Sequence, residues 1–586
     1  MLRRIKMNDL KPKIFSVMKT YSKEQFIKDT ISGIIVAIIA LPLSIALALA
    51  SGVSPMMGIY TAIVAGFVAA AFSGSRIQVT GPTAALATLV ASVVMKYGIN
   101  GLAVTTILAG IILVIMGVCK LGNLIKFIPY TITTGFTAGI AVMIFVGQIA
   151  SFFGISTASY KGLMIEPIDK VKALIECRGT WNPVALMVGI VSLIILIIWP
   201  HISKKIPNSL VAVVIASVGV RALELDRGAN KVETIGSLYE ITTKFPSFSV
   251  PEFDFALIKT LMPEAFTMAI LAGIVSLLSC VVSDGVAGSR HRSNAELVAQ
   301  GLGNIAVGFF GGIPGTGAIA RTTANIKNGG RTPVAAMIHA VVLAIMLAFL
   351  VPLAKLIPMP TIAAMLFMVA YNMSGLREIV KTLKRAPKSD ITLLIVTLFI
   401  SVAFGLMEAV GFGLVLASIL FMKRMADVTD ITCWTYADDY HNVNEENDNY
   451  EEDSDTEHIS LKTVPKHTLV FEVNGPLFFG AADKLNGIAL NIEEDILILR
   501  MRSVPAMDAT ALRTLENVFE TCKYNNTVLI FSHVNMQPYS VMEKSGFIDK
   551  VGKDKFCKNI DEALNIATEL EKEYHINRKK NKNKNK

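Results

Sequence analysis

The stretch Gly311-Gly312-Ile313-Pro314-Gly315-Thr316-Gly317-Ala318-Ile319-Ala320-Arg321 lies between long apolar runs, yet it holds glycines, a proline, a hydroxyl and an arginine where lipid would favour leucine. Proline is tolerated at the first position of a helix, where an N–H has no partner in any case. Glycine lets backbone approach a ligand closely. The stretch therefore reads as the start of a short helix whose amino end faces an anion.

Working outward, the rest of the chain is membrane-like. Of 586 residues, 53% are hydrophobic and 17% charged, against roughly 25% charged in ordinary soluble proteins. Runs of about 20 apolar residues cross the ~30 Å hydrocarbon layer as helix. Such runs lie near 29–50, 57–73, 101–118, 127–150, 184–200 and 208–223, and again near 262–283, 296–310, 333–351, 353–371, 390–404 and 406–423. Two further segments are too short or too interrupted to cross alone: 79–95, opened by Val79-Thr80-Gly81-Pro82-Thr83, and 314–327. Fourteen segments result, in two sets of seven, each with its interrupted segment third. An odd number per set inverts one set against the other, and paired interrupted helices mark a transporter's midplane site. The pattern predicts an α-helical polytopic membrane protein with inverted repeats over about 29–223 and 260–425, inside a transport domain of 29–425.

Basic residues support that count. Lys120, Lys126, Lys204, Lys205, Arg290, Arg292, Lys327, Arg331, Arg377, Lys381, Lys384, Arg385 and Lys388 all follow even-numbered segments. Cytoplasmic loops collect such charge, so both termini are expected inside, the arm 1–28 included. The net charge of +9 describes loops and ends rather than a nucleic-acid surface. The first apolar run lacks a cleavage site and reads as a span. The six cysteines are dispersed without metal-ligand spacing, which predicts free thiols, no metal and no cofactor.

Past Met425 the composition changes. Residues 438–458 read as an acidic, hydrated linker, and 573–586 as a basic disordered tail. Between them, 465–572 alternates strand-like runs (Val470–Val473, Asp495–Leu499, Thr527–Phe531) with helical patterns (Ala481–Leu490, Ala509–Thr521). That alternation predicts a largely parallel α/β domain, cytosolic if the C-terminus is inside.

Inverted symmetry would bring the two interrupted helix starts together, each adding roughly +0.5 charge. Thr80, Gly81, Pro82 and Thr83 would then face Gly315, Thr316, Gly317 and Ala318. Arg321 belongs with them, because an uncompensated arginine at the bilayer centre costs roughly 2.5–3.5 kcal/mol. The plainer readings are packing glycines, kinks and an arginine that snorkels to the surface. Gly315–Ala320 also fits the dinucleotide pattern GxGxxA, but no strand precedes it. His291 and His339 show no ligand spacing and read as loop or packing residues. The eighth segment offers Ser276 and Ser279 as a possible coupling-ion region, with Val275 where a carboxylate would titrate. Glu264, after Pro263, reads as a first-turn acid of its helix. No paired carboxylates, nucleophile–base set or metal ligands suggest an enzyme.

The runs Ala40-Leu41-Pro42-Leu43-Ser44-Ile45-Ala46, Gly74 to Thr83, Gly135 to Ile140 and Asn294 to Arg321 resemble the SulP anion permease family, and the cytosolic part resembles its STAS domain. The resemblance implies a UraA/SulP-like 7+7 inverted repeat, a core domain rocking against a gate domain, and a homodimer. It puts the anion between the third and tenth segments, with Leu43 and Leu47 as apolar wall. Many bacterial members carry an acid where Val275 stands, so the resemblance leaves coupling to sodium or protons open. Met507-Asp508-Ala509-Thr510 resembles the phosphorylated loop of anti-sigma-factor antagonists, with Thr510 as acceptor. The function implied is alternating-access transport of a small inorganic oxyanion across the cytoplasmic membrane, sulfate before bicarbonate and dicarboxylates. A membrane receptor that senses an anion and signals to a cytosolic partner through the STAS-like domain is the alternative.

Overall fold

Each expected apolar segment falls on a helix, as hydrocarbon demands of a backbone that must satisfy its own hydrogen bonds. The computed structural model describes residues 10–584 apart from 124–128, 157–159, 161–166, 204–206, 229, 350, 435–461, 482–483, 486 and 488–493. The acidic linker expected at 438–458 lies outside the described residues, as does most of the helix expected over Ala481–Leu490. The chain divides into two compact units, residues 1–415 and 416–586.

The first repeat comprises α1 (Lys23–Ala50), α2 (Pro55–Phe72), strand β1 (Thr80–Gly81), α3 (Ala84–Val118), α4 (Tyr130–Phe153), α5 (Pro183–Ile202) and α6 (Asn208–Ala222). The second comprises α7 (Phe255–Ala287), α8 (Ser293–Phe309), β2 (Thr316–Gly317), α9 (Ile319–Lys327), α10 (Pro333–Phe349), α11 (Met359–Ser374), α12 (Leu376–Arg385), α13 (Lys388–Ala403) and α14 (Leu406–Val428). Two expected segments share α3. They meet at Gly98, whose φ of 70° breaks the helix in a conformation that a side chain would strain. The 9 residues of α9 reach only about 13 Å, less than half of the hydrocarbon, so its amino end stops inside the layer. One expectation is corrected here: α7 starts at Phe255 behind the N-cap Asp254, so Glu264 sits well inside the helix, where it accepts from the Tyr97 hydroxyl at 3.4 Å. Pro263 misled the reading, because membrane helices tolerate an internal proline.

The helices pack in two groups. In one, α8 lies against α3 and α2, α7 against α3, and α10 against α1 and α2; in the other, α4 lies against α11 and α13, and α5 against α11. Where α3 crosses α8, Gly110 and Gly301 bring the backbones together: a Cβ on either would come within 2.7 Å of the other's carbonyl oxygen. Small residues at such a crossing are how membrane helices gain contact without a hydrophobic driving force.

In the second unit the sheet order is β3 (Asp430–Trp434), β4 (Thr468–Asn474), β5 (Ile496–Ser503), β6 (Val528–Ser532), β7 (Phe556–Cys557). All neighbours are parallel except β3, an antiparallel edge strand that the alternation did not reveal. Alternate residues serve opposite faces. Leu469, Phe471, Leu497 and Leu499 pack with Leu515 and Val518 of α15 (Ala509–Tyr524). Val470, Ile496 and Ile498 pack with Ala563 and Leu564 of the closing helix Ile560–Lys584. That helix replaces the disordered tail expected from 573, since lysine and arginine are good helix formers and suit a helix's carboxyl end.

Asp508 caps α15: its carboxylate accepts from Ala511 N at 2.8 Å and from Phe479 N at 3.0 Å. Asp508→Ala should lower the stability of this unit by roughly 0.5–2 kcal/mol, the usual worth of a cap. Urea unfolding followed by circular dichroism would check this, and an unchanged midpoint would contradict it.

Candidate functional site

The two interrupted segments meet. β1 and β2 pair antiparallel, Thr80 with Gly317 and Gly81 with Thr316, so the helices that follow start beside one another and leave in opposite senses. The hydroxyls of Thr83 and Thr316 are 2.7 Å apart. No side chain caps α3 or α9, although Ala84, Gly315, Thr316, Gly317 and Ala318 are all buried. Buried helix starts without caps leave N–H groups and partial positive charge facing one place.

Arg321, in the first turn of α9, is fully buried. Its Nη2 donates to the Ser44 hydroxyl at 3.1 Å and to the Pro82 carbonyl at 3.4 Å, while its Nε and Nη1 have no hydrogen-bond partner. No carboxylate pairs with it among the described residues. The guanidinium lies so near Gly81 that a methyl there would overlap Nη1, and a methyl on Gly317 would overlap the Gln78 amide. Both glycines are needed as space. Thr83 is half-buried, and Ile319 and Ala320 are exposed, which leaves the mouth of the cradle open on that side.

A polar frame holds the cradle in place. Down one face of α8, at intervals of four, stand Glu296, Gln300 and Asn304, all buried. Asn304 clamps Gly315 by both backbone groups, accepting from its N–H at 2.8 Å and donating to its carbonyl at 2.9 Å. Gln300 donates to the Thr80 hydroxyl at 2.7 Å and to Glu296 at 2.8 Å. Gln78 donates to Glu296 at 3.0 Å, and Glu296 also accepts from the Ser73 hydroxyl and from the N–H groups of Gly74 and Ser75. Sequence reading passed over this frame. Its signal was present, because ionisable and amide side chains recurring every fourth residue in an apolar span are costly unless they have a task.

Other expected residues fall as follows. Ser276 accepts from Gly317 N at 3.0 Å, so its hydroxyl holds β2; the Ser279 hydroxyl is buried and has no partner. Leu47 is buried in the main apolar cluster and Leu43 packs against it, while Ser44 between them makes the contact to Arg321. Ser44 was not singled out from the sequence, although it stands inside the Ala40–Ala46 run. Thr510 is exposed on the first turn of α15, in the second unit.

Residues 26–397 match the profile of the sulfate permease family, and residues 458–563 that of the STAS domain. The chain is 37% identical to YvdB of Bacillus subtilis (strain 168) over 549 residues, 93% of this chain and 98% of that one. It is 30% identical to the bicarbonate transporter BicA of Picosynechococcus over 555 residues, 92% and 94% of the two chains. It is 26% identical to sulfate transporter 4.1 of Arabidopsis thaliana, over 94% of this chain and 82% of that one. The structure of the murine solute carrier 26 family member A9 anion transporter in the inward-facing state superposes with a TM-score of 0.82 at 18% identity, covering 95% of this chain and 94% of that one, which shows a shared fold.

Proposed function

Because this chain belongs to the sulfate permease family, we propose that it is a secondary transporter carrying a small inorganic oxyanion, sulfate in the first place, across the cytoplasmic membrane. One observation carries the reading: two uncapped helix starts and the unpaired donors of buried Arg321 converge on one cradle. Fixed N–H groups and a guanidinium fork suit an oxyanion, since neither has to reorganise to receive it. Thr83 and Thr316 supply hydroxyls, and the backbone from Thr80 to Thr83 and from Gly315 to Ala318 supplies the walls. Rocking of the α1–α3 and α7–α10 group against the remaining spans would expose this cradle to each side in turn.

The basic loops favour cytoplasmic termini, and the family supports a homodimer. Thr510, exposed at a helix start, is placed where a phosphate would be electrostatically favourable, which makes the STAS domain a candidate point of regulation by a cytosolic partner. The resemblance to a bicarbonate transporter makes bicarbonate the competing substrate.

Radiolabelled sulfate uptake into proteoliposomes, competed by bicarbonate, fumarate and chloride, tests the reading. Uptake several-fold above protein-free vesicles, lowered most by unlabelled sulfate, is the expected result. Stronger competition by bicarbonate would reassign the substrate. Binding of anions without uptake of any would refute transport and favour a sensor.

A further inference from the structure

α12 (Leu376–Arg385) is a ten-residue helix between two apolar spans, α11 and α13. Gly375, with a φ of 57°, ends α11 in the left-handed conformation that glycine adopts without strain. At the other end Ala386 is extended ahead of Pro387, which the proline ring favours, and α13 starts at Lys388. Between these two corners α12 reaches only about 15 Å, half of the ~30 Å hydrocarbon layer. It joins the ends of its neighbours at one face of the bilayer and does not cross.

Its side chains sort into stripes. At about 3.6 residues per turn, Leu376, Val380 and Leu383 fall within about 60° of one another, and Arg377, Lys381, Lys384 and Arg385 fill the adjoining arc of about 100°. Ile379 is the buried residue of the helix and packs with Ala138 of α4 and Leu394 of α13. The apolar stripe beside it has no such cover: Leu376, Val380 and Leu383 are 51%, 49% and 41% exposed. The four basic side chains are exposed as well, and none of them forms an ion pair among the described residues. Glu378, the acid of the helix, is engaged elsewhere, accepting from the Tyr130 hydroxyl at 2.6 Å at the start of α4.

We propose that α12 binds anionic phospholipid, lying along the bilayer surface with Leu376, Val380 and Leu383 in the acyl region and its four cations on the headgroups. A helix with an apolar stripe and a basic one beside it takes that position because each stripe then meets the surroundings it prefers. The bilayer lines the chain on both sides of α12, where Tyr371 and Ile395 are exposed on the neighbouring spans. Charge selects the lipid: Arg377, Lys381, Lys384 and Arg385, with Lys388 just beyond, stand against Glu378 alone, which matches an anionic leaflet and not a neutral one. A second copy of the chain is a poorer occupant, because a two-fold contact centred on this face would bring the same cations toward each other.

Lipid held there would act on the helices that α12 connects. α11 and α13 both pack on α4, in the group against which the cradle-bearing helices would rock. Ile379 and the bond from Tyr130 to Glu378 tie α12 to that same group, so the bound leaflet gives it an anchor. The inference rests on the placement of these spans in a bilayer and not on which anion is carried. A failure of sulfate uptake would therefore leave it standing.

The test puts a nitrobenzoxadiazole label on Leu383→Cys in full-length protein that also carries Cys119→Ser and Cys433→Ser, since the remaining cysteines are buried. Vesicles hold equimolar phosphatidylcholine and phosphatidylglycerol, with bromine, a contact quencher, on the acyl chains of one lipid or the other. Brominated phosphatidylglycerol should quench the label at least about twofold more than brominated phosphatidylcholine, and high salt should erase the difference by screening. Lys381→Gln, Lys384→Gln and Arg385→Gln combined should bring the two lipids level while both still quench. Equal quenching by the two lipids with the charges intact would overturn the proposal, as would a preference that survives the triple substitution. Absence of quenching by either lipid would overturn it too, and would show that protein, a second copy or the second unit, covers the stripe. Should the triple variant fail to fold, the preference of the protein with its charges intact, and its loss in high salt, still decide.

Discussion

Arg321→Ala is expected to raise the KM for sulfate uptake by roughly 10- to 100-fold, as the loss of one or two charge-assisted hydrogen bonds worth about 1.5–3 kcal/mol together would do. The argument rests on what Arg321 lacks. It is fully buried, two of its three nitrogens have no partner, and no carboxylate balances it among the described residues. A structural arginine would be saturated by its neighbours, and its removal would lower stability. Here removal deletes an uncompensated charge that costs roughly 2.5–3.5 kcal/mol at mid-membrane. The anion-free variant should therefore melt no lower than the wild type in detergent. What it should lose is the rise in melting temperature on adding sulfate, which reports binding to the folded state. Arg321→Lys keeps the charge but not the fork and should fall between the two. A KM within twofold of wild type for Arg321→Ala, with sulfate-induced stabilisation intact, would remove Arg321 from the site.

Much of this architecture was legible because the bilayer simplifies the code. Segment length, interrupted helices and the placement of lysine and arginine each follow from one constraint, and together they gave the inverted repeats and the pairing of Val79–Thr83 with Gly315–Arg321. Three things were harder to read. Hydropathy averages over a window, so the polar residues of α8 vanished into their apolar neighbours although Glu296, Gln300 and Asn304 share one face. Pro263 looked like a helix start because its ring suits that position, and only the seat of Asp254 as N-cap shows the true one. The edge strand Asp430–Trp434 is short and holds charged and polar residues, and its partner β4 follows more than thirty residues later, so no local pattern announces it.

Glu296→Ala should abolish recovery of folded transporter, and Glu296→Gln should not. The wild-type carboxylate is fully buried and divides its acceptors between two tasks. Oε2 takes the Ser73 hydroxyl at 2.6 Å and the N–H groups of Gly74 and Ser75 at 2.9 and 3.2 Å; Oε1 takes the amides of Gln78 and Gln300 at 3.0 and 2.8 Å. Alanine would orphan the Ser73 hydroxyl, the Gly74 N–H and one hydrogen of each glutamine amide at once, while Ser75 N keeps the Ser73 hydroxyl at 2.9 Å, Gln78 the Ser276 carbonyl and Gln300 the Thr80 hydroxyl. Each buried donor left unpaired costs about 1–3 kcal/mol, and water from the bilayer core is not available to replace the lost acceptor. The sum is of the same order as the marginal stability of a folded domain, about 5–15 kcal/mol. Glutamine keeps the shape and one oxygen, which can continue to serve Ser73, Gly74 and Ser75. Its amide nitrogen then meets two donors, and relief requires the Gln300 amide to turn and offer its oxygen, which has no partner in the wild type. That turn withdraws the bond from Gln300 to the Thr80 hydroxyl and loosens β1 at the cradle. Glu296→Gln should therefore elute as a monodisperse peak in size-exclusion chromatography, with a lower melting temperature and sulfate uptake reduced several-fold. Normal yield and uptake for Glu296→Ala would show that the frame of α8 is dispensable, and that the register of the two helix starts is set by β1 and β2 alone.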